Sequence, residues 1–272
     1  MSTATFETAP AAHAGHRSRP FAWIEQSLTL AWRNIIRIRQ NPEALADVTF
    51  QPIIFLLLFV FVFGGAIAPG GWQGYLQFVL PGILVQSVVF STLGTGIALN
   101  DDFAKGVFDR FRSLPISRLA PLVGAVLGDA VRYVVSIVIL MTSGFALGFR
   151  FHNGVGNGLL ALLLVLTFAL SLCWIWVWLG LKMKTAQGVQ GVAFLVMFPL
   201  TFGSNIFVKT STLPGFMQSW VSVNPVAHLF DAMRGLMLGG PIQKPLLLTL
   251  AWMVGLVAVF APMAIRAYRR RT

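Results

Sequence analysis

Six apolar runs constrain this chain more than any other feature of it. They lie at about 48–68, 76–99, 119–149, 158–181, 188–208 and 246–265. Each is near or above the roughly 20 residues an α-helix needs to cross the hydrocarbon core of a bilayer. Five of them hold no Lys, Arg, Asp or Glu, and the third holds one charge of each sign, Asp129 and Arg132. Backbone in lipid must satisfy its own hydrogen bonds, so runs of this length predict helices rather than open strands. Composition agrees: 56% of the chain is hydrophobic and 11% charged, against about 25% charged in a soluble domain. The expected fold class is an all-α polytopic membrane protein with six transmembrane helices.

Charge between the runs predicts orientation. Arg17, Arg19, Arg33, Arg37 and Arg39 precede the first run, and Lys105, Arg110, Arg112 and Arg118 lie between the second and third. Lys182 and Lys184 separate the fourth from the fifth, and Arg266, Arg269, Arg270 and Arg271 end the chain. The other side holds only Arg150, Lys209, Arg234 and Lys244. Lys and Arg concentrate on the cytoplasmic side, so both termini are expected there. The net charge of +11 is thereby explained without nucleic acid, since no basic face with interleaved aromatics lies outside the runs.

Residues 1–20 have no apolar core, so they read as a disordered cytoplasmic tail and not as a secretory signal. From 21 to 40, Trp23, Trp32, Ile35, Ile36 and neighbouring apolar residues form a broad stripe flanked by Arg33, Arg37 and Arg39. That pattern predicts an interfacial elbow helix ahead of the first span. Between 210 and 241 the chain is apolar enough to suggest a seventh span. Pro214, Asn224-Pro225, Asp231 and Arg234 oppose it, because charge is costly at the bilayer centre. Two short helices, 215–222 and 225–238 with Pro225 at a helix start, fit better. They either dip into the outer leaflet and return or cap the outer surface.

The segment 100–118, NDDFAKGVFDRFRSLPISR, is a charged island between the second and third runs. Phe103, Val107, Phe108, Phe111 and Leu114 recur at helical spacing on one face. Asp102, Lys105, Asp109, Arg110 and Arg112 fall mainly on the other. Pro115 cannot continue a helix. The pattern predicts an amphipathic helix of about four turns, lying on lipid headgroups or presented to a cytoplasmic partner.

No catalytic pattern is present. The sequence lacks a GxxxxGK[ST] phosphate loop, HExxH, GxSxG and CxxC. Its single cysteine, Cys173, lies in an apolar run and reads as a small buried residue. His152 and His228 are isolated, so no metal site, cofactor site or catalytic group is expected. Asp129 and Arg132, three residues apart, fall on neighbouring helix positions. They read as an intramembrane ion pair, with a proton-relay carboxylate as the sharper alternative.

With these motifs placed, the chain resembles the ABC-2 family of ATP-binding-cassette transporter permeases, closest to the daunorubicin-resistance type that exports drugs and lipids. Three features carry the resemblance: the elbow at 21–40, the loop DDFAKGVFDRFRSLPISRLAPLVGAVLGDAVR with its LPISR turn, and NPVAHLFDAMRGLMLGGP before the last run. The loop opens on Asp101 and Asp102, where members of this type often carry Glu and Arg.

The resemblance implies that 21–272 is one ABC-2 type transmembrane domain in a bacterial cytoplasmic (inner) membrane. Phe103 to Leu114 would then be the coupling helix that docks on a separate ATPase subunit, with a second permease copy or paralogue completing the complex. ATP and Mg would be bound by that ATPase dimer. The helices at 213–238 resemble the family's re-entrant outer gate, implying gating roles for Phe216, Trp220, Asn224, Pro225 and Phe230. Cargo would be a hydrophobic or amphipathic small molecule, drug or lipid, moving along an inter-subunit face built from spans two and five in contact with membrane lipids. A polysaccharide- or glycolipid-exporting permease is the nearest alternative. A proton-coupled carrier would need Asp129 to titrate, and an intramembrane lipid-modifying enzyme would need convergent acid or base groups.

Overall fold

The computed structural model describes residues 42–64, 71–107, 120–207 and 210–271. The tail, the elbow at 21–40 and most of the charged island, 108–119, lie outside them. In chain order the helices are α1 (Pro42–Leu58), α2 (Gly71–Ser91), α3 (Leu93–Ala104), α4 (Ala120–Ala146), α5 (Val155–Lys182), α6 (Ala186–Phe202), α7 (Gly215–Val223), α8 (Pro225–Leu238) and α9 (Gln243–Arg271). A π-helical turn, Phe59–Phe63, extends α1. No strand occurs among the described residues.

Among the described residues, four segments are long and apolar enough to cross a membrane: Gly71–Ala104, Leu122–Ala146, Val155–Lys182 and Gln243–Arg270. Phe50–Phe63 and Ala186–Phe202 are apolar but shorter. Of the six full-length spans expected, four correspond to helices long and apolar enough to cross, whereas the first and fifth runs hold shorter apolar helices. The fifth run ends early for a local reason. Thr201 Oγ1 donates back to the Met197 carbonyl at 2.7 Å and Ser204 Oγ bonds the Thr201 carbonyl, so short polar side chains compete with the helix ladder where it stops.

The island at 100–118 also differs from expectation. Its first five residues complete α3, the end of the long apolar segment Gly71–Ala104. Lys105 caps α3 through its N–H to the Asp101 carbonyl, and Gly106 follows at φ 67°. A left-handed residue after a helix favours glycine and stops the ladder. Phe103 and Val107 therefore do not share one uninterrupted helix.

α5 is the hub. It packs most extensively on α9 and also on α3, α8, α4, α2 and α6. The main core gathers Val79, Ile83 and Leu84 of α2, Leu140 of α4, Phe168 of α5 and Phe230 of α8. A second cluster joins Leu99, Leu122, Val177 and Tyr268. α9 buries only a narrow stripe that includes Thr249, Leu256 and Ala264, about two turns apart. α6 does the same with Val189, Ala193, Met197 and Thr201, while Leu195 stays 76% exposed.

The segment before α9 forms two helices at the places expected, α7 and α8. Asn224 accepts from the Val226 N–H at 2.9 Å and donates to the Leu200 carbonyl at 2.8 Å, with Pro225 in the first turn of α8. That is the favoured capping arrangement. At 14 residues, α8 is too short to span.

Candidate functional site

The site grows from α3 and its N-cap: Thr92, Gly96 and Asn100 recur every four positions and so share one face. That face meets α5. A Cβ on Gly96 would sit 2.5 Å from the Trp176 carbonyl oxygen, and one on Gly180 would collide with the Gly96 carbonyl. Only glycine at both positions lets the two backbones touch. Trp176 Nε1 donates to Thr92 Oγ1 at 2.8 Å. Asn100 Nδ2 donates to the Gly180 and Met183 carbonyls, both at 2.9 Å, satisfying groups at the end of α5 that the helix itself leaves without partners.

Beside this seam a polar chain crosses three helices. Tyr133 donates to Cys173 Sγ at 3.6 Å, Cys173 to Thr95 Oγ1 at 3.0 Å, and Thr95 to Asp129 Oδ2 at 2.5 Å. Arg132 Nη1 lies 3.6 Å from Asp129 Oδ1, both side chains being partly exposed. The expected ion pair is therefore present, and Asp129 has hydroxyl support that the sequence reading missed. Gly94 makes room for Arg132: Nη1 lies 2.5 Å from where a Cβ on Gly94 would be.

On the other edge of α3, a cavity of about 380 Å³ opens between α1, α2, α3, α4 and α6. Phe55, Phe90, Phe194, Phe198 and Phe202 form its apolar wall. Stacked rings run from Phe55 to Phe59, from Phe59 to Phe207 at 4.2 Å, and from Phe207 through Phe202 to Phe198, joining α1 to α6. Gln86, Ser87, Ser91 and Arg132 supply its polar part. The arrangement can seat a molecule with a large apolar body and a polar end, because the wall offers ring faces and the polar part offers hydrogen bonds. The sequence carried one hint of it: Gln86, Ser87 and Ser91 interrupt an otherwise apolar run.

The other site residues read from sequence divide. Asp102 and Phe103 sit on the last turn of α3, Phe103 edge-on to Tyr268 of α9. Lys105 and Val107 follow in the turn after it, and Phe108, Asp109, Arg110, Phe111, Arg112 and Leu114 lie outside the described residues. Of the residues expected to gate, Phe216 is 77% exposed and Trp220 is exposed on α7. Phe230, expected alongside them, is fully buried beside Gly82 of α2. The inner face of α8 carries its apolar residues, and Phe230 shares that face with Val226 and Met233. Asn224 and Pro225 shape the start of α8.

α8 is anchored by polar contacts. Asn205 Nδ2 donates to Asp231 Oδ1 at 2.6 Å and Arg234 Nη2 to the Ile206 carbonyl at 2.5 Å. The Arg234 guanidinium also lies 4.0 Å from the centre of the Phe78 ring, a cation–π contact. Among the described residues no group of His, Cys, Asp and Glu could hold a metal ion.

The family model for the ABC-2 type transporter matches residues 25–238. The daunorubicin resistance ABC transporter permease protein DrrB1 of Streptomyces coeruleorubidus is 43% identical over 95% of this chain and 91% of its own. The probable doxorubicin resistance ABC transporter permease protein DrrC of Mycobacterium tuberculosis is 25% identical over 97% of this chain and 95% of its own. The inner membrane transport permease YadH of Escherichia coli K12 is 28% identical over 77% and 82% respectively.

Proposed function

Because this chain belongs to the ABC-2 type transporter family and is the permease subunit of an ABC exporter, we propose that its cargo is a hydrophobic or amphipathic molecule, a drug or a lipid. The family's permeases are not enzymes, and ATP is hydrolysed in a separate subunit. Drug resistance in the names of DrrB1 and DrrC supports a drug-like cargo. The observation that carries this cargo class is the cavity beside α3, with a wall of phenylalanine rings and a few convergent polar groups.

In this reading the chain spans a bacterial cytoplasmic membrane six times with both termini inside, α1 and α6 being the two shorter crossings. α7 and α8 form a re-entrant pair on the outer side, with Phe216 and Trp220 as its exposed aromatic groups. The chain pairs with a second permease, identical or paralogous, through the apolar face that α1 and α6 leave uncovered. Residues 102–114 dock on the ATPase, which binds ATP and Mg. Closure of the ATPase dimer then biases the permease pair between inward- and outward-open arrangements.

The test is to isolate the chain from its native membranes in mild detergent, as wild type and as Phe111→Glu, and to identify stoichiometric partners by mass spectrometry. The expected result is an ATPase that accompanies the wild type and is lost from the variant. Absence of an ATPase from both, under conditions that preserve other complexes, would overturn the docking assignment.

A further inference from the structure

Val177 and Leu181 of α5 share one cluster with Ala264, Ala267 and Tyr268 of α9, so the last turns of these two helices end side by side. Trp178 meets Phe260 edge-on at 5.9 Å and makes an aromatic step across the seam. Cations follow directly after it. Lys182 stands one turn beyond Trp178 on α5, while Arg266 and Arg270 stand three and seven residues beyond Met263 on α9. Those spacings keep each set on one helix face, and with the helices parallel both faces open on the same side of the seam. The three cations are exposed, and Trp178, Phe260 and Met263 are half-buried. Residues 155–184 and 243–272 hold no Asp or Glu, and none of the three cations forms an ion pair with a described residue. Lys182 ends one long apolar segment, and Arg266 and Arg270 lie in the last turns of another, so their charge sits at headgroup depth. Arg269 is also exposed, but it comes two residues after buried Ala267 and so lies on the side of α9 away from the seam.

We infer that this end of the α5–α9 seam seats an anionic phospholipid of the cytoplasmic leaflet, with its phosphate against Lys182, Arg266 and Arg270 and an acyl chain along Trp178 and Met263. The inference rests on the topology proposed above, which places the end of α9 at that leaflet. Positive charge on the cytoplasmic side orients a membrane protein whichever face of a helix carries it. Orientation alone does not require three unpaired cations gathered below an aromatic step. Lys and Arg stems lie along apolar surface while their heads reach the phosphates, the guanidinium fork matches phosphate oxygens, and indole rings favour the same interfacial depth. Each cation held near an anionic surface adds to the attraction, and no carboxylate on either helix offsets it. A protein partner fits less well, because half of the surface is the aromatic step, which lies at the depth of the lipid chains.

The experiment places the full chain in phosphatidylcholine nanodiscs and titrates in phosphatidylglycerol or further phosphatidylcholine with dibrominated chains, which quench tryptophan fluorescence. Subtracting the signal of Trp178→Phe isolates the quenching at the step. Brominated phosphatidylglycerol is expected to quench Trp178 at about a tenfold lower mole fraction than brominated phosphatidylcholine. Lys182→Gln, Arg266→Gln and Arg270→Gln should each reduce that preference about twofold and together abolish it, while Arg269→Gln leaves it unchanged. High salt should weaken the preference in the wild type, which serves if the triple variant does not fold. Equal quenching by the two lipids, or an effect of Arg269→Gln as large as those of the other three, would overturn the seat. Loss of a copurifying ATPase from the triple variant with the lipid preference intact would assign the face to a protein partner and overturn it as well. A protease site added after Thr272 checks the topology separately in sealed vesicles. Cleavage from the cytoplasmic side without a lipid preference removes the seat and leaves the topology, whereas cleavage from the outer side overturns both.

Discussion

Where α3 meets α5, backbone touches backbone at Gly96 and Gly180, and indole and carboxamide hydrogen bonds fasten both ends of the contact. Where the same helix faces α1 and α6, it meets phenylalanine rings across a cavity of about 380 Å³, and polar atoms of Gln86 and Arg132 stay unpartnered. Twelve residues of α3 thus carry one edge with no room to adjust and one edge made of side chains that can repack. Close backbone contact fixes the distance between two helices, since neither has a side chain to yield. Aromatic walls keep rotamer freedom.

The comparison breaks most readily at the seam. Gly96→Val forces α3 and α5 apart against a carbonyl that cannot move aside, and should cost on the order of 3 kcal/mol or more. The readout is loss of monodisperse protein and a lowered thermal midpoint in detergent; an unchanged midpoint would show that the seam is not tight. Asn100→Leu leaves the Gly180 and Met183 carbonyls without their donor and should cost about 1–3 kcal/mol, measured in the same melt. The cavity edge should respond in the opposite sense. Phe198→Ala, at a side chain 57% exposed, should change stability by under about 0.5 kcal/mol while weakening amphiphile binding. A large drop in stability there would erase the distinction between the two edges.

Sequence periodicity reached some of this and missed the rest for identifiable reasons. Asn224-Pro225 announced the start of α8, because a side-chain cap followed by a residue with fixed φ is a local signal. Asp129 and Arg132 were visible as the only charges in their run. The extension of α3 to Ala104 was hidden by Asp101 and Asp102, which read as the end of a span although Gly106, at positive φ, sets the helix end. Burial of Phe230 depends on which face of α8 meets α2, and that is decided by packing. The cavity draws Gln51, Gln86, Arg132 and Phe198 from four distant stretches. No local pattern brings them together.

The fully buried Cys173, enclosed between Thr95 and Tyr133, has a practical consequence. It is the chain's only cysteine, and a thiol that is fully buried and already hydrogen-bonded is out of reach of polar reagents. The wild-type protein is thus already a silent background for site-directed labelling. Spin or dye pairs introduced on exposed positions of α1 and α6 would report the spacing of those helices during turnover without first removing the native cysteine.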